Sequence, residues 1–159
     1  MISIKIKGMK ELMKKFEQSP KIVESVSRER LTEAGKIIVR AEAKEAPIRT
    51  GNLRRHIQFK YKPIQVIINP NAKYSKFVHG GTGIYAGKGM IRPKNAKVLA
   101  WRDGGKWRFA KAVKGQKANP FVDRAWKNTK SKVKGILDKI LKEVTEKLWV
   151  HNIQQLKLK

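Results

Sequence analysis

Leu53-Arg54-Arg55-His56-Ile57-Gln58-Phe59-Lys60-Tyr61-Lys62-Pro63-Ile64-Gln65-Val66-Ile67-Ile68 is the stretch over which the chain takes up a period of two. Leu53, Ile57, Phe59 and Tyr61 fall on one face of an extended strand, with Arg55 interrupting the apolar set. Arg54, His56, Gln58, Lys60 and Lys62 fall on the other, so the face turned from the core is basic. Pro63 allows a turn into a second, more buried strand at residues 64–68, and Asn69-Pro70-Asn71 reads as a loop.

Upstream the patterning is mostly helical. After an alternating strand at Ile2, Ile4 and Ile6, residues 9–17 read as a short amphipathic helix that Ser19-Pro20 breaks. A longer helix then runs to about Glu45, with Val23, Val26, Leu31, Ala34, Ile37, Ile38 and Ala41 on one stripe. Ala46-Pro47 stops it, because a residue before proline is pushed out of the helical region.

Downstream, residues 80–89 hold five glycines in ten and read as a flexible loop. Residues 97–102 and 107–113 read as strands around the turn Asp103-Gly104-Gly105-Lys106. Alternation places Trp107 and Phe109 on one strand face, where core packing is expected. Residues 115–118 form a linker, and Asn119-Pro120 opens the last helix as N-cap and first helical residue. Its stripe is Val122, Ala125, Thr129, Val133, Ile136, Leu137, Ile140, Leu141, Val144 and Leu148, weakened at Gly135. The expectation is an α+β fold, with an antiparallel sheet packed against two long helices, a flexible Gly-rich loop and a β-hairpin. Residues 1–148 form a single domain in this reading, and residues 149–159 a C-terminal tail.

The chain has 159 residues, and 38 Lys plus Arg against 12 Asp plus Glu give a net charge of +26. Residues 47–117 carry 17 basic side chains and only Asp103, while residues 1–46 carry a net +4 and residues 118–159 a net +6. The excess therefore marks one segment and points to an anionic partner. Lys outnumbers Arg 28 to 10, which favours diffuse attraction over bidentate reading of bases or phosphates. With 40% hydrophobic residues the chain is too apolar for a disordered basic tail. The absence of cysteine excludes disulfides, thiol nucleophiles and thiolate metal sites. No apolar run approaches the ~20 residues of a membrane span. The N-terminus lacks the continuous apolar stretch of a signal peptide, so a cytosolic or virion protein is expected.

Catalytic patterns are poor. His56, His79 and His151 lie far apart, with no carboxylate spaced to join any of them as a metal set. The basic segment cannot supply a carboxylate pair for acid–base work. Gly81-Thr82-Gly83-Ile84-Tyr85-Ala86 fits a dinucleotide loop by letter, yet Arg92-Pro93 follows in place of a helix. Gly87-Lys88 lacks the rest of a phosphate loop. A ribonuclease-like chemistry would have His56 with Arg54 and little else. The expectation is a protein that is not an enzyme and carries no cofactor or metal.

Three ordered segments carry a resemblance. They are Ala46-Pro47-Ile48-Arg49-Thr50-Gly51-Asn52-Leu53-Arg54-Arg55-His56-Ile57, then Tyr74-Ser75-Lys76-Phe77-Val78-His79-Gly80-Gly81-Thr82, then Asn119-Pro120-Phe121-Val122-Asp123-Arg124-Ala125-Trp126. Together they resemble the tail-component family of tailed bacteriophages and prophages, whose members act in tail completion or head–tail joining. In that family a long helix ends in Ala-Pro-x-x-Thr-Gly-x-Leu, a Tyr-Ala-x-x-Val-Glu-x-Gly-Thr segment follows, and a Pro-Phe starts the C-terminal helix. The resemblance spans roughly residues 5 to 145. Pro47, Thr50, Gly51, Leu53, Tyr74, Pro120 and Phe121 match it as structural positions, while His79 stands where the family usually has Glu.

The resemblance implies a non-enzymatic virion part, a homo-oligomeric ring, often hexameric, at the neck between head and tail. It would be found in the virion and, during assembly, in the host cytoplasm, with no membrane contact. Its partners would be other neck and tail-tube proteins and DNA in the lumen. The candidate surface for DNA or an acidic protein comprises Arg54, His56, Lys60, Lys62, Lys97, Arg102, Lys106, Arg108 and Lys111. The candidate subunit-contact loop holds Gly80, Gly81, Thr82, Gly83, Tyr85 and Gly87 and would order only against a neighbour. A stand-alone basic nucleic-acid-binding protein is the alternative, with Trp101, Trp107 and Phe109 as its stacking aromatics.

Overall fold

The computed structural model describes the backbone of residues 2–5 and 20–157 and the side chains of residues 20–148. The helix expected at residues 9–17 lies outside the described residues. The architecture is α+β, in the order β1 (Ile2–Lys5), α1 (Pro20–Glu45), α2 (Asn52–Arg55), β2 (Ile57–Lys62), β3 (Gln65–Pro70), α3 (Ser75–Gly80), a 3₁₀ turn (Gly83–Ala86), β4 (Leu99–Asp103), β5 (Lys106–Ala110) and α4 (Phe121–Lys157). The strands form two antiparallel sheets, β1-β3-β2 and the separate hairpin β4-β5. Two compact units result, Met1–Asn71 with Val122–Lys159, and Ala72–Phe121.

In the first unit, α1 starts at Pro20, where its fixed φ suits a helix N-terminus, and ends before Pro47. It buries Val23, Val26, Leu31, Ala34 and Ile38 of the expected stripe. Gly35 lies on the same stripe, and there α1 crosses the sheet closely. A Cβ built on Gly35 would stand 3.1 Å from both Phe59 Cγ and Val66 Cγ1. The N-terminal half of α1 also packs on the far part of α4, where Val23 and Val26 meet Ile140, Val144 and Leu148. Two polar clasps fix the antiparallel register of these helices. Arg30 grips Glu143 through Nε and Nη2 at 3.0 and 2.6 Å, and Arg124 Nε donates to Glu45 Oε2 at 2.8 Å.

The sheet pairs Phe59 with Ile68 and Tyr61 with Val66, so β2 and β3 share an apolar face as expected. The strand does not begin at Leu53, however. Gly51 takes φ 72°, and Asn52–Arg55 make one helical turn before β2 starts at Ile57. Arg54 and His56 therefore do not share the strand row of Lys60 and Lys62. Residues 69 and 70 extend β3 where a loop was expected, with Ile57 opposite Pro70. The intervening turn places Ile64 at φ 61°.

Helix α4 is longer than its apolar stripe. It buries Val122, Ala125, Thr129, Val133, Ile136, Ile140, Val144 and Leu148, but Leu141 is 53% exposed. Its backbone continues through Lys157, so residues 149–157 are helical where a tail was expected.

The two helix glycines should respond oppositely to alanine. Gly135 has nothing within 4 Å of its would-be Cβ, so Gly135→Ala should stabilise the chain. The expected gain is about 1 kcal/mol. Gly35→Ala would press on Phe59 and Val66 and should cost about 1–3 kcal/mol. Urea midpoints of the two variants check both signs.

Candidate partner-binding surface

The first sequence motif builds the corner between α1 and β2. Arg54 donates from Nε to the Ala46 carbonyl at 3.3 Å and from Nη2 to that of Lys44 at 3.2 Å. It therefore satisfies the carbonyl end of α1, which attracts cations. His56 Nδ1 lies 2.7 Å from the Asn52 carbonyl and so carries the proton and donates to it. Both residues thus brace the corner. Lys60 and Lys62 are exposed along β2, as the alternation requires.

In the second unit the second and third motifs meet. Asn119 N–H donates to the Val78 carbonyl at 2.9 Å, and His79 packs edge-on against Phe121 with centroids 5.9 Å apart. Phe121 is fully buried. The short helix α3, which residue periodicity did not suggest, sets these contacts.

The glycine loop corrects an expectation. It is tied down by its own chain, because Thr82 N–H donates to the Gln116 carbonyl and Ile84 N–H to that of Lys114. Thr82 Oγ1 also accepts from Gln116 N–H at 2.8 Å. Gly83, at φ 60°, lies so close that a Cβ there would meet the Lys114 carbonyl oxygen at 2.3 Å. Its glycine therefore serves close approach as well as backbone freedom. Gly81 does the same against residues 116 and 118, whereas Gly80 and Gly87 face open space. Tyr85 is exposed, with the Lys117 ammonium 5.9 Å from its ring centroid.

The hairpin carries the densest cation–aromatic arrangement. Lys97 and Lys111 are exposed at its base, and Lys106, Arg102 and Arg108 are exposed along it. The register pairs Arg102 with Trp107 and Ala100 with Phe109, so these four share a face. Core packing does not occur there. Trp107 is 58% and Phe109 65% exposed, because nothing in this unit covers that side of the two-stranded sheet. The two rings lie 6.3 Å apart at 23°, and the Arg102 guanidinium sits 5.3 Å over the indole. Arg108 stands 3.8 Å from Asp103, both exposed, a contact of little energetic weight.

Among the described residues no cluster of three or more His, Cys, Asp or Glu side chains is placed to hold a metal ion. No helix among them is long and apolar enough to cross a membrane. One titratable group escaped the sequence reading. Glu42 is fully buried on the inner face of α1, and among the described residues neither carboxylate oxygen has a hydrogen-bond partner. Burial pushes its pKa up to about 7. Its spacing from Ile38 and Ala46 on one helix stripe was the available signal.

Residues 10–81 match the family model described as "Bacteriophage HK97-gp10, putative tail-component". Over that segment, a little under half of its length, the chain is similar to phage tail components. The segment includes the first two motifs up to Gly81, and the third lies beyond it. No curated protein and no solved structure matches the chain. In the matched segment, Gly51, Leu53 and Val78 have visible structural work, as a left-handed turn, a buried anchor and a carbonyl acceptor.

Two outcomes follow from this geometry. Gly83→Ala should release the 3₁₀ turn and speed amide exchange at Thr82 and Ile84, the donors held by residues 116 and 114. The unfolded Glu42 carboxyl titrates at 4.5 and the folded one at about 7, so the folded state keeps a proton that the unfolded state loses. Stability from this group is full below pH 4.5 and declines as pH rises to about 7. Relative to wild type, Glu42→Gln should therefore gain about 3 kcal/mol between these limits, read from urea midpoints across pH.

Proposed function

We propose that this protein is a structural subunit of the phage neck, a tail-completion or head–tail joining protein that assembles as a homo-oligomeric ring. The observation that carries the reading is the tail-component match over residues 10–81, which takes in the first motif and the second as far as Gly81. The ring, often hexameric in the family it resembles, caps the tail and helps join it to the head. Its work is mechanical and electrostatic, without an enzymatic step. The protein resides in the virion and passes through the host cytoplasm during assembly.

The second unit supports an assembly role. Residues 72–121 hold 12 Lys and Arg side chains and one carboxylate, Asp103. They also hold most of the large apolar side chains that stand exposed, from Tyr74 and Phe77 to Trp107 and Phe109. Apolar groups ringed by cations suit a surface completed by anionic neighbours, whether neck proteins or DNA in the lumen.

Electron microscopy with mass measurement, on the purified protein alone and mixed with phage tails, tests the reading. Rings or decorated tail ends are expected. A strict monomer that ignores tails would overturn it. A monomer that binds duplex DNA at physiological salt, with affinity falling steeply as salt rises, would establish the nucleic-acid-binding alternative.

A further inference from the structure

The hairpin β4–β5 has the composition of an interface centre. Trp107 and Phe109 form a near-parallel aromatic pair on one face, with Arg102 over the indole. On the opposite face Trp101 pairs with Arg108, and Asp103 with Lys106 at the turn. Trp and Arg are the side chains most enriched where alanine substitution costs an interface most of its affinity. A free two-stranded hairpin is marginal in water, so a partner laid on this face would also support it.

The charges decide what the partner must offer. On that face Arg102 is the cation beside Trp107 and Phe109, Lys106 and Arg108 stand on the other face, and residues 72–121 around them hold 12 Lys and Arg side chains against one carboxylate. A second copy is a poor complement. With 38 Lys plus Arg against 12 Asp plus Glu, the chain repels its own copy. Phosphates alone would satisfy the cations and leave the rings uncovered. Only unpaired bases would stack on the rings, and a duplex presents none to them.

We propose that the aromatic–cationic face of β4–β5 docks an acidic protein partner that presents apolar side chains between carboxylates. The apolar side chains cover Trp107 and Phe109, and a carboxylate meets Arg102 on the same face. This rests on the neck-subunit reading only for the identity of the neighbour, and it names the chemistry that neighbour must have.

The test is fluorescence anisotropy on the full chain at physiological salt, with labelled extended peptides of equal charge. One peptide alternates glutamate with leucine and the other alternates glutamate with serine. A single-stranded oligonucleotide and a duplex of similar length complete the set. The Glu/Leu peptide should bind about tenfold more tightly than the Glu/Ser peptide. Trp107→Ala and Phe109→Ala should each abolish that preference with unchanged circular dichroism. Leu141→Ala, at an exposed apolar site on α4, should preserve it. Equal binding of the two peptides, or a preference that survives both aromatic variants, overturns the proposal. So does Trp107-dependent binding of the single strand tighter than that of the Glu/Leu peptide, which would make the face a base-stacking platform. Ring formation and tail decoration are read separately by microscopy, so failure here leaves the neck reading to its own test.

Discussion

The missing side chain at Gly35 sets the geometry of the first unit. It lets α1 lie directly on Phe59 and Val66, so the helix reaches the β2–β3 sheet without an intervening layer. With that approach fixed, the remaining stripe of α1 has one place to go. Val23 and Val26 turn to α4, and the Arg30–Glu143 and Glu45–Arg124 clasps set the register at two levels. The Arg30 pair is half-buried, and its bidentate geometry gives it more directional value than an exposed ion pair has. The guanidinium beside it holds the Glu143 carboxyl below the ordinary carboxylate range. That is opposite in sign to Glu42, whose carboxyl is buried with no hydrogen-bond partner among the described residues.

The elements legible in the sequence were those whose signals are local and redundant. Helix α1 is bracketed by Pro20 and Pro47, and α4 carries ten stripe positions, so neither depended on knowing the rest of the fold. The start of β2 was misread for a physical reason. Leu53 continues the alternation of Ile57 and Phe59 on paper, but Gly51 in the left-handed region launches one helical turn first. Leu53 is buried within that helical turn, and a core-facing strand residue would also be apolar, so its apolar character does not distinguish the two. Arg54 shows the same ambiguity from the charged side. A cation beside a helix C-terminus and a cation facing a ligand look identical in one sequence.

Glycine was the other source of error. A run of glycines signals permitted conformations, and the loop was read as flexible on that ground. Gly81 and Gly83 instead let two backbone segments approach too closely for a Cβ, which is a packing constraint between residues some 30 positions apart. Likewise, alternation correctly placed Trp107 and Phe109 on one face of β5, but it carries no information on whether another layer covers that face. Burial is a tertiary property, and among the described residues of this unit no layer covers that face.

The second unit therefore combines two costs within 50 residues: like charge, and apolar surface left in water. Its own core is small, with Ala72, Val78 and Phe121 the buried apolar side chains. Backbone hydrogen bonds between residues 82–84 and 114–116, and the Ile91–Val113 bridge, hold it in place of extensive burial. Such bonds fix shape without requiring a continuous apolar interior, so the aromatic side chains are free to face outward. An anionic, partly apolar neighbour would relieve both costs at once, neutralising the cations and covering the rings. A neutral apolar neighbour would relieve one and worsen the other by desolvating unpaired ammonium groups. The composition of this unit thus selects its partner by charge and by apolar surface together, and neither property alone would specify it.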